Sequence, residues 1–335
     1  MDLSEDELIA AIARVADRHP GVVVGIGDDA AVLGPSVGEQ VLTTDLLIEH
    51  VHFERDAITP HDLGAKAITV NVSDVAAMGA SPRAALVSIA LSPDVEASWV
   101  MELYGGIHDI CSEHAMFLVG GDTNRGDVVV VSVTVVGEVA PGRAVTRSGA
   151  RPGDAICVTG WLGAAAGGLA LSRADAAATA LSRPWGRALL DALSRPVARV
   201  GEGQTLARCG ASAMMDLSDG LARDLSRLCA ASGVGARLGM GDLPVSPALL
   251  EAAPFLGLDA LGLAIGGGED YELLATLAPE DAERARDDLA DRFGVPLTVV
   301  GAVVEGSGLV AVHADGRETP LAPSGWDHFA PDRPS

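Results

Sequence analysis

Three carboxylates and two hydroxyls, Asp28, Asp29, Thr43, Thr44 and Asp45, fall within one short stretch, VGIGDDAAVLGPSVGEQVLTTD. They stand at the ends of two apolar, β-branched runs, residues 22–26 and 40–44, which read as strands bounded by Gly, Pro and Asp. Acids at strand ends lie beside loops, where a scaffold can aim them at one point. Carboxylates this close repel and raise each other's pKa unless a cation neutralises them. Hard oxygen donors of this kind suit Mg²⁺, which keeps some water and is usually shared with substrate phosphates. Taken alone, Gly27-Asp28-Asp29 reads equally well as a plain turn.

Similar acids recur along the chain: Asp74 in Asn71-Val72-Ser73-Asp74, Asp122 in Gly120-Gly121-Asp122-Thr123, Asp216 and Asp219 in DLSDG, and Glu269 and Asp270 in IGGGEDY. Nearly all adjoin Gly, Ser or Thr after a strand-like run, and so many clusters in one chain point to a polynuclear Mg²⁺ site. The pattern [Asn/Asp]-x-Ser-Asp occurs once in each half, so the halves are expected to supply similar elements to one shared site. Judged singly, either copy also reads as a helix N-cap. The eight histidines show no zinc spacing, and no G-x-S-x-G elbow is present. Much metal and little covalent machinery fits phosphoryl transfer, which depends on positioning and charge neutralisation. Arg147 is a candidate phosphate clamp or an ordinary exposed arginine. His52, Tyr104 and Trp326 read first as packing residues.

These groups need a scaffold, and 335 residues suffice for two domains. The net charge of −23 disfavours nucleic acid and anionic membrane as partners, and leaves an anionic substrate dependent on bridging cations or a local Arg. Lysine occurs once, at Lys66, so no Walker phosphate loop exists. Four scattered cysteines, an acidic N-terminus and the lack of a long apolar run predict a cytoplasmic protein without disulfides or a membrane span.

The pattern predicts a capped helix over residues 4–18, a second from Thr59-Pro60 through Lys66 toward Asp74, and a third from Ser92-Pro93 to His114. Strands are expected at 83–91, 116–119 and 127–139. After a linker at 141–154 come strands at 155–159, 211–217, 272–277, 298–304 and 309–312. Helices are expected at 160–171, 185–193, 197–209 and 279–293, with Ser218-Asp219 capping another to Ala231. The tail from 331 is expected to be disordered. The irregular alternation predicts a mixed α/β (α+β) fold in two domains, 1–140 and 155–335.

GIGDDAAV, TTD followed by HVHF, NVSDVAAMGA, GGDT, RSGARPGD, DLSDGL, GGEDYELL and GWDHF occur in an order that resembles the thiamine-monophosphate kinase family, from Val24 to Phe329. The resemblance implies the two-domain fold shared with aminoimidazole ribonucleotide synthetase, usually dimeric through the N-terminal domains. It also implies ATP-dependent, in-line phosphorylation of thiamine monophosphate to thiamine diphosphate. Carried over by motif, Asp29, Thr43, Thr44, Asp45, Asp74, Asp122, Asp216 and Asp219 are expected to hold several Mg²⁺ ions, with Asp74 and Asp219 central to catalysis as metal holders and not as bases. Tyr104, Gly121, Asp122, Arg147 and Ser218 are expected at the nucleotide, and His52, Glu269 and Trp326 at thiamine monophosphate. Asn124-Arg125-Gly126 after GGDT departs from the family's usual Thr or Ser. Aminoimidazole ribonucleotide synthetase itself is the alternative within the superfamily; a non-catalytic nucleotide-binding scaffold and a Mg²⁺-dependent phosphatase are the others.

Overall fold

The computed structural model describes residues 4–16, 21–26, 30–174 and 181–326. The chain forms two compact units that divide between Ala144 and Val145.

In the first unit, α1 (Glu5–Val15) starts at Ser4, whose hydroxyl and the Glu7 carboxylate form the expected reciprocal cap. Leu8 and Ile12 of its apolar stripe are buried. Two short strands, β1 (Val22–Val24) and β2 (Val32–Leu33), pair antiparallel. The main sheet has β3 (Glu39–Ile48), β4 (Ser81–Leu91), β5 (Phe117–Arg125) and β6 (Val130–Val139), in the order β3-β6-β4-β5, with only β4 and β5 parallel.

Two helices, α2 (Pro60–Ala77) and α3 (Ala97–Glu113), pack together. A β-carbon on Gly64 would collide with the Leu103 carbonyl, and one on Gly106 with that of His61, so the close approach depends on these two glycines. Val75 of α2 sits over Gly137 of β6, which places α2 on the sheet face carrying Val41, Thr43 and Asp45. The opposite face carries Leu42 and Leu46, 64% and 47% exposed.

Several expectations change here. β3 runs on through Thr43–Asp45 to Ile48, so these residues are mid-strand and not at a strand end, because pairing with β6 continues to Val130. The helix from Pro60 is continuous through Asp74, so Asn71-Val72-Ser73-Asp74 is helical, whereas Asp216 ends a strand and Ser218-Asp219 follow in a loop. The repeated pattern therefore does not mark similar elements in the two halves. Gly120–Thr123 lies within β5, paired to β4, and is no turn. Ser92-Pro93 precedes a turn, and α3 starts only at Ala97.

The second unit holds a seven-stranded sheet in the order β13-β12-β9-β11-β7-β10-β8. Its strands are β7 (Ala155–Thr159), β8 (Ala213–Asp216), β9 (Gly235–Gly239), β10 (Leu273–Leu277), β11 (Leu297–Val304), β12 (Gly308–Val312) and β13 (Glu318–Leu321). All neighbours are antiparallel except β9 and β12. Among the described residues its helices are α4 (Ala164–Ser172), α5 (Pro184–Ser194), α6 (Val200–Cys209), α7 (Leu221–Ser232), α8 (Pro247–Leu256), α9 (Ala260–Gly266) and α10 (Pro279–Phe293). The main core joins Ile156, Val158, Leu225, Leu228, Leu274 and Val300, and a smaller one joins Leu171, Trp185, Leu189 and Leu249.

Residues 145–154 belong to this unit by hydrogen bonding. Met214 N–H donates to the Thr146 carbonyl, Ser212 Oγ to Asp154 Oδ2 at 2.6 Å, and Val303 N–H to the Asp154 carbonyl. The mixed α/β class and two-domain family fold are as expected. No helix among the described residues is long and apolar enough to cross a membrane.

Candidate functional site

In the first unit, strand alternation puts Thr43 and Asp45 on one face of β3, beneath the last turn of α2. There Thr43 Oγ1 donates to Asp74 Oδ2 at 2.5 Å. Burial, then the charge and hydrogen bond of Asp74, push the Asp45 carboxyl up to about 6. Two crowded carboxylates with a hydroxyl between elements are a hard oxygen donor set that a divalent cation would satisfy. Among the described residues, no three His, Cys, Asp or Glu side chains converge into a protein-only cage. Mg²⁺ does not require one, since it commonly binds through one or two carboxylates plus water and phosphate. Asp28 and Asp29 lie outside the described residues.

The structure does not bring every expected group of this unit to that point. The Thr44 side chain is on the opposite face, donating to the Val133 carbonyl and accepting from Thr134, each at 3.0 Å. Asp122 pairs in register with Ser88, which pairs with Ser132 opposite Leu46, so it shares that open face. Its carboxylate accepts from Asn124 Nδ2 at 2.9 Å. Gly121 abuts the Val87 carbonyl so closely that no β-carbon fits. Tyr104 is buried on α3, and that burial pushes its phenol well up. His52 closes the turn after β3, where its Nδ1 accepts the Ile48 N–H at 3.1 Å. That bond requires Nδ1 to be unprotonated.

In the second unit, five of the expected residues meet around one loop. Asp216 is the buried last residue of β8, and Ser218-Asp219 follow. The Ser218 carbonyl accepts the Glu269 N–H at 2.8 Å, and the Asp219 carbonyl accepts the Trp326 N–H at 3.0 Å. Gly325 lies against the Asp219 carbonyl and Arg223 Cβ too tightly for any side chain. Trp326 is thus fixed by its backbone while the residue stays half exposed (51%). Glu269 and Tyr271 both have positive φ, 66° and 49°, conformations that need local support in non-glycine residues. Asp270 supplies it: both its oxygens accept the Gly163 N–H at 2.9 Å, where the chain enters α4. Desolvation keeps its pKa well above the usual carboxylate range despite those donors. Asp270 is therefore bound to the start of α4. Arg147 is exposed, its carbonyl accepting from Ser232 Oγ.

Sequence reasoning missed three residues here. Ser218-Asp219 do not cap α7; Gly220, at φ 109°, occupies the cap position without a side-chain bond. Instead the buried Asp224 accepts the N–H groups of Ser218 and Asp219, at 3.1 and 2.9 Å. Arg227 Nη1 reaches Asp219 Oδ2 at 2.6 Å and Asp224 Oδ1 at 2.8 Å. Behind the loop, Arg199 grips Glu272 with two hydrogen bonds of 2.8 and 2.6 Å. An acid at the fourth position of a helix and an arginine three later were the available signal for Asp224 and Arg227; Arg199 left none.

The chain matches two family models, the AIR synthase related protein N-terminal domain over residues 27–139 and the C-terminal domain over 151–314. It is 40% identical to the thiamine-monophosphate kinase of Escherichia coli (strain K12), covering 98% of this chain and 99% of that one. The crystal structure of thiamine-monophosphate kinase from Stenotrophomonas maltophilia K279a is similar at a TM-score of 0.80 and 38% identity, over 94% of this chain and 98% of that one. The structure of AaThiL complexed with AMPPCP and TMP matches at a TM-score of 0.77 and 35% identity, over 98% and 99%. With this likeness running the length of the chain and through both acidic centres, the chain belongs to the thiamine-monophosphate kinase family.

Proposed function

We propose that this chain transfers the γ-phosphoryl group of ATP to the phosphate of thiamine monophosphate, forming thiamine diphosphate and ADP. The observation that carries the reading is the full-length likeness to thiamine-monophosphate kinases. An acceptor phosphate oxygen attacks the γ-phosphorus as the bond from that phosphorus to the β,γ-bridging oxygen breaks. The acceptor oxygen is already anionic near neutral pH, so Asp74 and Asp219 need not remove a proton.

Donor and acceptor are both anions, and the chain carries a net charge of −23. Mg²⁺, when bound, supplies the neutralisation that lets the two approach. Asp45, Asp74 and the Thr43 hydroxyl would hold it in the first unit, and Asp216 and Asp219 in the second. Asp122 and Arg147, both exposed, are offered to the nucleotide together with Ser218 and the backbone at Gly121, while the buried Tyr104 supports α3 from within. His52, Glu269 and Trp326 are the acceptor-side groups, Trp326 by stacking its indole face.

The β3 edge of the first unit's open sheet face, with Leu42 and Leu46, supports a homodimer formed there, while Asp122 lies on β5 at the other edge. Four free, buried cysteines fit the reducing cytoplasm. ADP release from ATP and Mg²⁺, followed with thiamine diphosphate by chromatography, tests the reaction. One thiamine diphosphate per ADP, only with thiamine monophosphate present, is the expected result. ADP release indifferent to the acceptor would make the chain a phosphatase.

A further inference from the structure

We propose that Asp224 is a positioning residue for Asp219, and that it does so by dividing the charge of Arg227. The proposal rests on the reading of Asp219 as a metal-holding group. Asp224 is fully buried, 0% exposed. Its Oδ2 accepts the backbone N–H groups of both Ser218 and Asp219, in the loop just before the N-cap of α7. Its Oδ1 accepts Arg227 Nη1 at 2.8 Å, and the same nitrogen lies 2.6 Å from Asp219 Oδ2. One guanidinium nitrogen is thus shared by two carboxylates.

The sharing has a direct consequence for a cation at Asp219. A guanidinium wholly committed to Asp219 would neutralise that carboxylate and compete with any metal for it. Because Asp224 takes part of the charge, Asp219 stays available while its backbone is held from below. An Asn at 224 has one acceptor oxygen. If that oxygen keeps the two backbone N–H groups, the amide NH₂ faces Arg227, donor against donor, and Arg227 falls back on Asp219.

The test is Mn²⁺ binding to the full-length, nucleotide-free protein, read as free Mn²⁺ by electron paramagnetic resonance. Asp219→Asn defines the component of binding that belongs to Asp219. Asp224→Asn should weaken that component about tenfold, the usual scale for losing a hydrogen-bond partner of a ligand. Arg227→Gln should strengthen it, and the double variant should return to within about threefold of the parent, since the nearer competitor is gone. Arg223 Nε, 3.7 Å from Asp219 Oδ2, is common to all the proteins. Asp224→Asn with unchanged Mn²⁺ affinity, or both single variants weakening binding alike, would overturn the proposal. Should Asp224→Asn fail to fold, Arg227→Gln decides alone: equal or weaker Mn²⁺ binding sinks the idea. If Asp219→Asn itself leaves binding unchanged, the metal-holding reading of Asp219 fails, and this proposal with it.

Discussion

In the first unit Asp45 lies beneath α2, which carries Asp74, and burial, then the Asp74 charge and hydrogen bond, raise the Asp45 carboxyl to about 6. Asp219 in the second unit carries the same functional group, yet Arg227 lies 2.6 Å away and Asp224 holds its backbone. The second centre contains positive charge within ion-pair distance of its carboxylate. The same residue type thus sits in two settings, one buried against a second carboxylate and one beside a shared arginine.

The largest expected effect comes from breaking the first centre. Asp74→Asn should lower kcat/KM at least about 1000-fold, roughly 4 kcal/mol, in the acceptor-dependent ADP assay. Asp219→Asn should also lose much activity while keeping the shape of the pH–rate profile, since neither acid is a base. Loss of one limb of that profile would show that Asp219 moves a proton.

The contrast also has a pH signature. In the metal-free chain Asp45 binds its proton more tightly folded than unfolded, so its contribution to stability is full below the unfolded value, 3.8, and is lost as pH rises through about 6. A shift of this size corresponds to up to about 3 kcal/mol. Denaturant unfolding should show the parent losing stability from pH 4 to pH 7 relative to Asp45→Asn, and Mg²⁺ should remove the difference. Parallel curves for the two proteins would mean the pair is not strained.

Smaller effects sharpen the picture. Trp326→Ala should raise KM for thiamine monophosphate about tenfold, ~1.4 kcal/mol, with KM for ATP little changed. Finally, Thr43→Val should cost activity about tenfold and Thr44→Val less than about twofold, because only the first hydroxyl faces Asp74. Equal losses would put the operative face of β3 in question.

Much was legible from local chemistry. The Ser4–Glu7 cap, Pro60 at a helix start and the alternating β6 follow from short-range rules, and the chain shows them. The acids were legible as a set, because Asp beside Gly, Ser and Thr is plain in the letters. What each acid faces was not. Thr43 and Thr44 are adjacent in sequence and on opposite faces in the sheet, and only the pairing of β3 with β6 decides which is which. Asp270 read as one more acid of the cluster until the start of α4 met it, and the start of α4 is more than a hundred residues away. Arg199 likewise finds Glu272 only through the fold. Composition and motif order determined the kind of chemistry, since crowded oxygen donors on an acidic chain call for cations whatever their arrangement. Tertiary structure decided which carboxylates are buried against one another and which receive an arginine, because Coulomb interaction and desolvation depend on ångström distances that sequence spacing does not set.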